Sequence, residues 1–209
     1  MSPILRQIDA ANGVSLASLL LAVLSTALAV EGRFYAAATC LMYSGIADMF
    51  DGWVARRTKR TALSAEAGGQ IDSLVDVCAF GFAPVVFAYC FGLRDIPSVA
   101  LLFAYVSVNV LRLAYFNNRG LVTEGGTQYF TGLPVTYAGM FVPLVFASRL
   151  ALSDGAVAMV LRATFAALAL AMSSGLRVPK PRGVFYVLFP LSALVLTGVF
   201  AFAMRAGGR

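Results

Sequence analysis

Four aspartates interrupt two apolar stretches of this chain: Asp48 and Asp51 in "DMFDGWVARR", and Asp72 and Asp76 in "GGQIDSLVDVCAFGFAP". Spacings of three and four residues put each pair on one face of a helix. An ionised carboxylate in hydrocarbon is costly, and four that converge repel one another unless a counter-charge is present. A pair of divalent cations supplies it. Oxygen donors without histidine or cysteine select a hard ion: Mg²⁺, Mn²⁺ or Ca²⁺. The chain has no histidine at all, which excludes Ser-His-Asp catalysis and imidazole ligation. Gly52, Ala55, Gly68 and Gly69 surround the aspartates, and residues this small admit a neighbouring helix or a flat ligand.

The elements that carry these residues must lie in a membrane. Of 209 residues, 60% are hydrophobic and 12% charged, about half the charged fraction of a soluble domain. Apolar runs long enough to span cover 13–30, 34–55, 69–91, 96–116, 132–150, 155–173 and 183–204. The expected fold is an all-α integral membrane protein, a bundle of six to seven transmembrane helices. The chain reads as one membrane domain, 1–209: an interfacial N-terminal segment (1–12), a core (13–182) and an additional C-terminal helix (183–209) that carries Pro190. Residues 3–10, "PILRQIDA", are expected to lie at the interface, with Asn12-Gly13 a possible turn. The N-terminal apolar run has a single arginine and an acidic Asp9, and is read as a retained span rather than a cleaved signal.

Loop charges set the orientation. With the N-terminus cytoplasmic, that side holds nine cations: Arg6, Arg56, Arg57, Lys59, Arg60, Arg119, Arg177, Lys180 and Arg182. The other side holds five: Arg33, Arg94, Arg149, Arg205 and Arg209. This topology brings all four aspartates to the cytoplasmic face, beside the long loops 56–68 and 117–131. Arg112 and Arg162 fall within spans; Arg162 reads as a structural or snorkelling residue. Cys40, Cys78 and Cys90 lie in apolar runs with no CxxC pair and read as packing residues. The net charge of +6 comes mostly from short loops and favours anionic headgroups or phosphate-bearing substrates over nucleic acid.

The pattern Asp48-x-x-Asp51-Gly52-x-x-Ala55-Arg56, then Gly68-x-x-x-Asp72-x-x-x-Asp76, resembles the signature of the CDP-alcohol phosphatidyltransferases. These membrane enzymes move a phosphatidyl group from CDP-diacylglycerol, or a phosphobase from a CDP-alcohol, onto a hydroxyl. Eleven residues separate Arg56 from Gly68, more than the family pattern carries, and the extra ones fall in the connecting loop. "DSLVDVCAFGFAPV", "LRLAYFN" and "FTGLPVTYAG" are similar to blocks of the phosphatidylserine synthases. Ala79, Tyr115 and Thr136 stand where those blocks carry serine, arginine and proline.

The resemblance implies that Asp48, Asp51, Asp72 and Asp76 hold two Mg²⁺ or Mn²⁺ ions against the diphosphate of CDP-diacylglycerol. Asp76 is the expected general base toward the hydroxyl of L-serine. Gly52, Ala55, Arg56 and Gly68 are the expected CDP-lipid contacts, and a homodimer is implied. Arg112, buried in a span, is expected to bind the serine carboxylate or else to pair with an aspartate; Asn117 and Glu124 are expected to assist at the serine ammonium. Two rivals stand beside this reading: the same chemistry on glycerol 3-phosphate or an inositol phosphate, and a divalent-cation carrier. Carriers usually hold their acidic groups near the membrane midplane, which counts against the second.

Overall fold

The computed structural model describes residues 2, 4–181 and 183–207. Pro3 of the expected interfacial segment, and Arg182 and Arg209 of the loop charge count, lie outside them. Among the described residues seven helices form the bundle: α1 Ala10–Val30, α2 Phe34–Ala55, α3 Ala62–Phe91, α4 Ile96–Arg119, α5 Val135–Leu150, α6 Asp154–Ser173 and α7 Phe185–Arg205. Five of them (α1, α3, α4, α6 and α7) are long and apolar enough to cross a membrane. The protein is an all-α integral membrane protein. Helix α2 spans 22 residues but carries Asp48 and Asp51, and α5 is shorter.

The N-terminus differs from expectation. Leu5–Gln7 is a single 3₁₀ turn, and α1 runs straight through Asn12-Gly13. Asp9 is the reason: its Oδ1 accepts from the Asn12 amide at 2.9 Å, capping the helix before the supposed turn. The Asn12 side chain meanwhile donates to the Gln7 carbonyl at 2.7 Å. Helix α3 likewise begins earlier than the apolar run, at Ala62, because Thr61 caps it by accepting from the Ser64 amide at 3.1 Å.

Small polar residues on α1 bind it to α2. Ser18 donates to the Ser44 carbonyl at 2.9 Å, and Ser25 to that of Ala37 at 2.8 Å. Such hydroxyls let two backbones come close where water offers no competing partner. Helix α5 reaches α2 in a similar way. A Cβ on Gly139 would sit 3.0 Å from Phe80 Cε1 and 3.3 Å from the Leu41 carbonyl oxygen, so a larger residue would have to push its neighbours aside by a few tenths of an ångström.

Just after Asp76, α3 widens into a π-helical segment, Val77–Phe82. Pro84 has no amide hydrogen to offer the carbonyl one turn back, that of Phe80. Tyr105 of α4 fills the vacancy, donating to the Phe80 carbonyl at 2.5 Å. At the opposite end of the bundle, Phe34, Tyr35, Phe91 and Phe146 surround the Arg149 guanidinium at 5.5–5.9 Å from each ring centre. Arg149 also pairs with Asp154 at 2.8 Å.

The loop expected at 117–131 is largely ordered by a hairpin, β1 Val122–Glu124 and β2 Thr127–Thr131, turning at Gly125-Gly126. Both glycines have positive φ, as the tight two-residue turn requires. A third strand, β3 Arg177–Pro179, pairs antiparallel with β2, setting Phe130 opposite Val178. This small sheet caps the aspartate end. Gly132 joins it to the helices at φ +73°, where a Cβ would meet the Met172 carbonyl oxygen at 2.5 Å.

Candidate active site

Helix α2 brings Asp48 and Asp51 down toward its C-terminal end, and α3 brings Asp72 and Asp76 up past its second turn. Carboxylate oxygens of Asp48, Asp72 and Asp76 lie within 4.8 Å of one another. At that separation each ionised pair repels by about 3 kcal/mol at an effective dielectric of about 20. Asp51 is within hydrogen-bonding reach of Asp72 and accepts from Ser15 Oγ at 2.7 Å. Asp76 is only 7% exposed, and its Oδ1 has no hydrogen-bond partner. A crowded, all-oxygen, under-satisfied set of this kind fits a hard divalent cation. Asp48, Asp72 and Asp76 could hold one directly, with Asp51 alongside.

The aspartates open into a cavity of ≈ 300 Å³. Of the other expected site residues, Gly52, Arg56, Arg112 and Asn117 line it; Ala55, Gly68 and Glu124 do not. A Cβ on Gly52 would lie 3.5 Å from Arg56 Nη1, an ordinary contact distance, so the guanidinium lies back along α2 over Gly52. Asn117 Nδ2 donates to Ser73 Oγ at 2.8 Å. Glu124 is paired with Arg177 across the small sheet. Gly68 faces Arg60 and Asn12 instead.

Arg112 is 8% exposed. Its guanidinium lies between the rings of Phe116 and Phe130, at 5.3 and 5.5 Å from their centres. Nε and Nη2 are buried without a hydrogen-bond partner, and among the described residues no carboxylate lies within salt-bridge distance of it. The expected alternative, an ion pair with an aspartate, is not formed at salt-bridge distance, although Asp76 is near enough to interact with Arg112 through its charge. The guanidinium is thus a planar fork beside two aromatic rings, with two nitrogens left without a hydrogen bond.

Sequence reasoning missed several contributors. Lys180 and Pro181, beside β3, line the cavity, as do Tyr186, Phe189 and Ser192 of α7. In the sequence Lys180 stands out only as a loop charge. Ser15 left one signal: with Asn12, Ser18 and Ser25 it marks a small polar face of α1. Arg162, read as structural, pairs with Asp95 at 2.5 Å and donates to Ser98 Oγ at 2.7 Å.

A sequence model of the CDP-alcohol phosphatidyltransferases matches residues 9–206. The chain belongs to this family. The match starts at the Asp9 cap and ends within the last residues after α7, so it takes in every helix that lines the cavity. The chain is similar to an archaetidylserine synthase of Methanothermobacter thermautotrophicus, 34% identical over 128 residues, 57% of this chain and 49% of the relative. It is also similar to CDP-diacylglycerol–serine O-phosphatidyltransferases. The one from Bacillus subtilis is 37% identical over 95 residues, covering 44% of this chain and 50% of the relative. The one from Helicobacter pylori strain 26695 is 32% identical over 136 residues, covering 64% and 55%. The chain thus spans about half the length of the relatives it matches.

Proposed function

We propose that this protein transfers the phosphatidyl group of CDP-diacylglycerol to the hydroxyl of L-serine, releasing CMP. The observation that carries the acceptor is Arg112: a buried, unpartnered guanidinium opening into the cavity of the aspartates. A free amino acid offers it a carboxylate of matching geometry. The names of the relatives above agree, since serine is common to them.

Asp48, Asp51, Asp72 and Asp76 would hold two Mg²⁺ or Mn²⁺ ions, which when bound neutralise diphosphate charge and stabilise the leaving CMP. Arg56, folded over Gly52, adds a fork toward the donor phosphates. Arg112 holds the serine carboxylate and so turns the hydroxyl toward Asp76, whose free Oδ1 accepts the proton. The serine oxygen bonds to the phosphorus bearing diacylglycerol as that phosphorus releases the CMP oxygen. Phe116 and Phe130 wall Arg112 from water and strengthen its grip on the carboxylate. The loop charges support an N-terminus in the cytoplasm and a site on the cytoplasmic face of the cell membrane. Because α7 lines the cavity, we read residues 183–209 as part of the same membrane unit as the 13–182 core.

One observation favours a second reading. Arg56, Arg112 and Lys180 bring three cations to one cavity, an arrangement that also suits a phosphorylated acceptor such as glycerol 3-phosphate. An acceptor panel separates the two. Purified protein receives CDP-diacylglycerol, Mn²⁺ and either L-serine, glycerol 3-phosphate or inositol phosphate, and CMP release is followed. Release with serine alone supports the first reading. Release with a phosphorylated acceptor alone supports the second, and no release with any of them refutes both.

A further inference from the structure

The loop between α2 and α3 carries four cations: Arg56, Arg57, Lys59 and Arg60. Arg57 lies over the Trp53 ring at 3.9 Å, while Arg56 enters the cavity. Arg60 does something different: its guanidinium is folded inward, and three residues from two helices, α1 and α3, converge on it. Nε donates to Asp9 Oδ2 at 2.6 Å. Nη2 donates to Asn12 Oδ1 at 2.6 Å and to the Ser64 carbonyl at 2.7 Å. Asn12, 2% exposed, closes the ring by donating to the same Ser64 carbonyl at 3.1 Å. A surface charge placed only for topology would not be tied at both nitrogens to the start of one helix and the first turn of another.

Gly68 belongs to this cluster. A Cβ there would lie 2.6 Å from Arg60 Nη2, 3.1 Å from Nη1 and 3.0 Å from Asn12 Oδ1. The guanidinium ends a flexible chain and could swing aside, but only by giving up the three acceptors that hold it. Ser64, Gly68, Asp72 and Asp76 follow one another at intervals of four, a single winding stripe on α3. The same stripe that meets Arg60 at its start therefore meets the aspartate site about 12 Å further on, at 1.5 Å per residue. Helix α1 presents the matching stripe. Asp9 and Asn12 hold Arg60, and Ser15, one turn later, holds Asp51 of α2.

The geometry points to Arg60 as a positioning residue of the aspartate site: it locks the first turn of α3 to α1, fixing the depth and rotation at which Asp72 and Asp76 meet Asp48 and Asp51, and Gly68 lacks a side chain to seat it. The assignment gives Gly68 a part in the frame of the site. It rests on the proposed metal-dependent transfer for its activity readout alone, because Mn²⁺ binding is measured separately.

The test is a double-mutant cycle with Arg60→Ala, Gly68→Ala and the pair, made in the full chain in detergent. Mn²⁺ affinity is measured by calorimetry without substrate, and kcat and both KM values by CMP release. Each single variant should weaken Mn²⁺ binding and lower kcat by about tenfold, with KM for CDP-diacylglycerol unchanged. The pair should be no worse than Arg60→Ala, since the added methyl then has no guanidinium to displace. If Arg60→Ala does not fold, Arg60→Lys takes its place in the cycle, having no second nitrogen for Asn12 and Ser64. Additive losses would overturn the assignment, as would a raised donor KM in Gly68→Ala or unchanged Mn²⁺ affinity in the Arg60 variant. Absence of CMP release from the unmodified protein would refute the transferase reading instead, and the Mn²⁺ cycle would still judge Arg60.

Discussion

Arg112 and Asp76 are two buried groups of opposite charge that share a cavity without pairing, and each has polar atoms left unsatisfied. Unpaired buried charge is destabilising, so a ligand that satisfied both groups would bind favourably. Arg112→Lys keeps the charge and loses the fork. It should raise the KM for serine about tenfold or more and leave the donor KM nearly unchanged; equal loss of both would contradict the carboxylate role. Asp76→Asn should lower kcat at least about 100-fold, the usual worth of a general base, as measured by CMP release at saturating substrates. Ser15→Ala removes the hydroxyl on Asp51 and should weaken Mn²⁺ about 10–100-fold, measured by calorimetry. The aspartates, Arg56 and Arg112 were legible in the sequence because charge inside an apolar run is conspicuous. Ser15, Arg60 and Lys180 were not, since a serine in a span or a cation in a loop has many ordinary uses.

Helix ends, rather than helix existence, were where the sequence misled. Hydropathy finds where a chain can be buried, but caps decide where a helix starts, and Asp9 and Thr61 start α1 and α3 before their apolar runs begin. At Asp9, burial alone would raise the carboxyl; the Asn12 amide, Arg60 and Ser64 outweigh it and hold it below the usual aspartate range. The hairpin left a signal in its Gly-Gly turn, whereas strand β3 left none, because three residues cannot show a period. Within α3, Tyr105 supplies the hydrogen bond that Pro84 cannot give to the Phe80 carbonyl. Tyr105→Phe strands the Phe80 carbonyl and should cost about 1–3 kcal/mol, read from thermal unfolding in detergent. At the start of α4, Asp95 is held down to about 2 by the Ser98 hydroxyl and then the Ser98 amide, which outweigh the opposing effect of burial, with Arg162 adding to them. Its folded value lies below the ordinary 3.8, so its stabilisation is full above that pH and is lost as pH falls toward 2. The gap in melting temperature between wild type and Asp95→Asn should therefore shrink on acidification from about pH 6 through this window.

Across the whole molecule, the two ends of the bundle divide the work. The far end is closed by aromatic rings packed around Arg149 and by the Asp95–Arg162 clasp. The aspartate end stays open as a cavity roofed by the small sheet and walled on one side by α7. Rigid closure at one end lets the other hold carboxylates that repel each other. The central claim is that this cavity joins serine to a phosphatidyl group, and it is tested most directly by following radiolabelled L-serine. Purified protein is supplied with CDP-diacylglycerol and Mn²⁺, and label in the solvent-extracted lipid is compared with CMP formed. The expected result is one labelled lipid per CMP, abolished by chelation and by Asp76→Asn. CMP formed with no label in lipid would contradict the account.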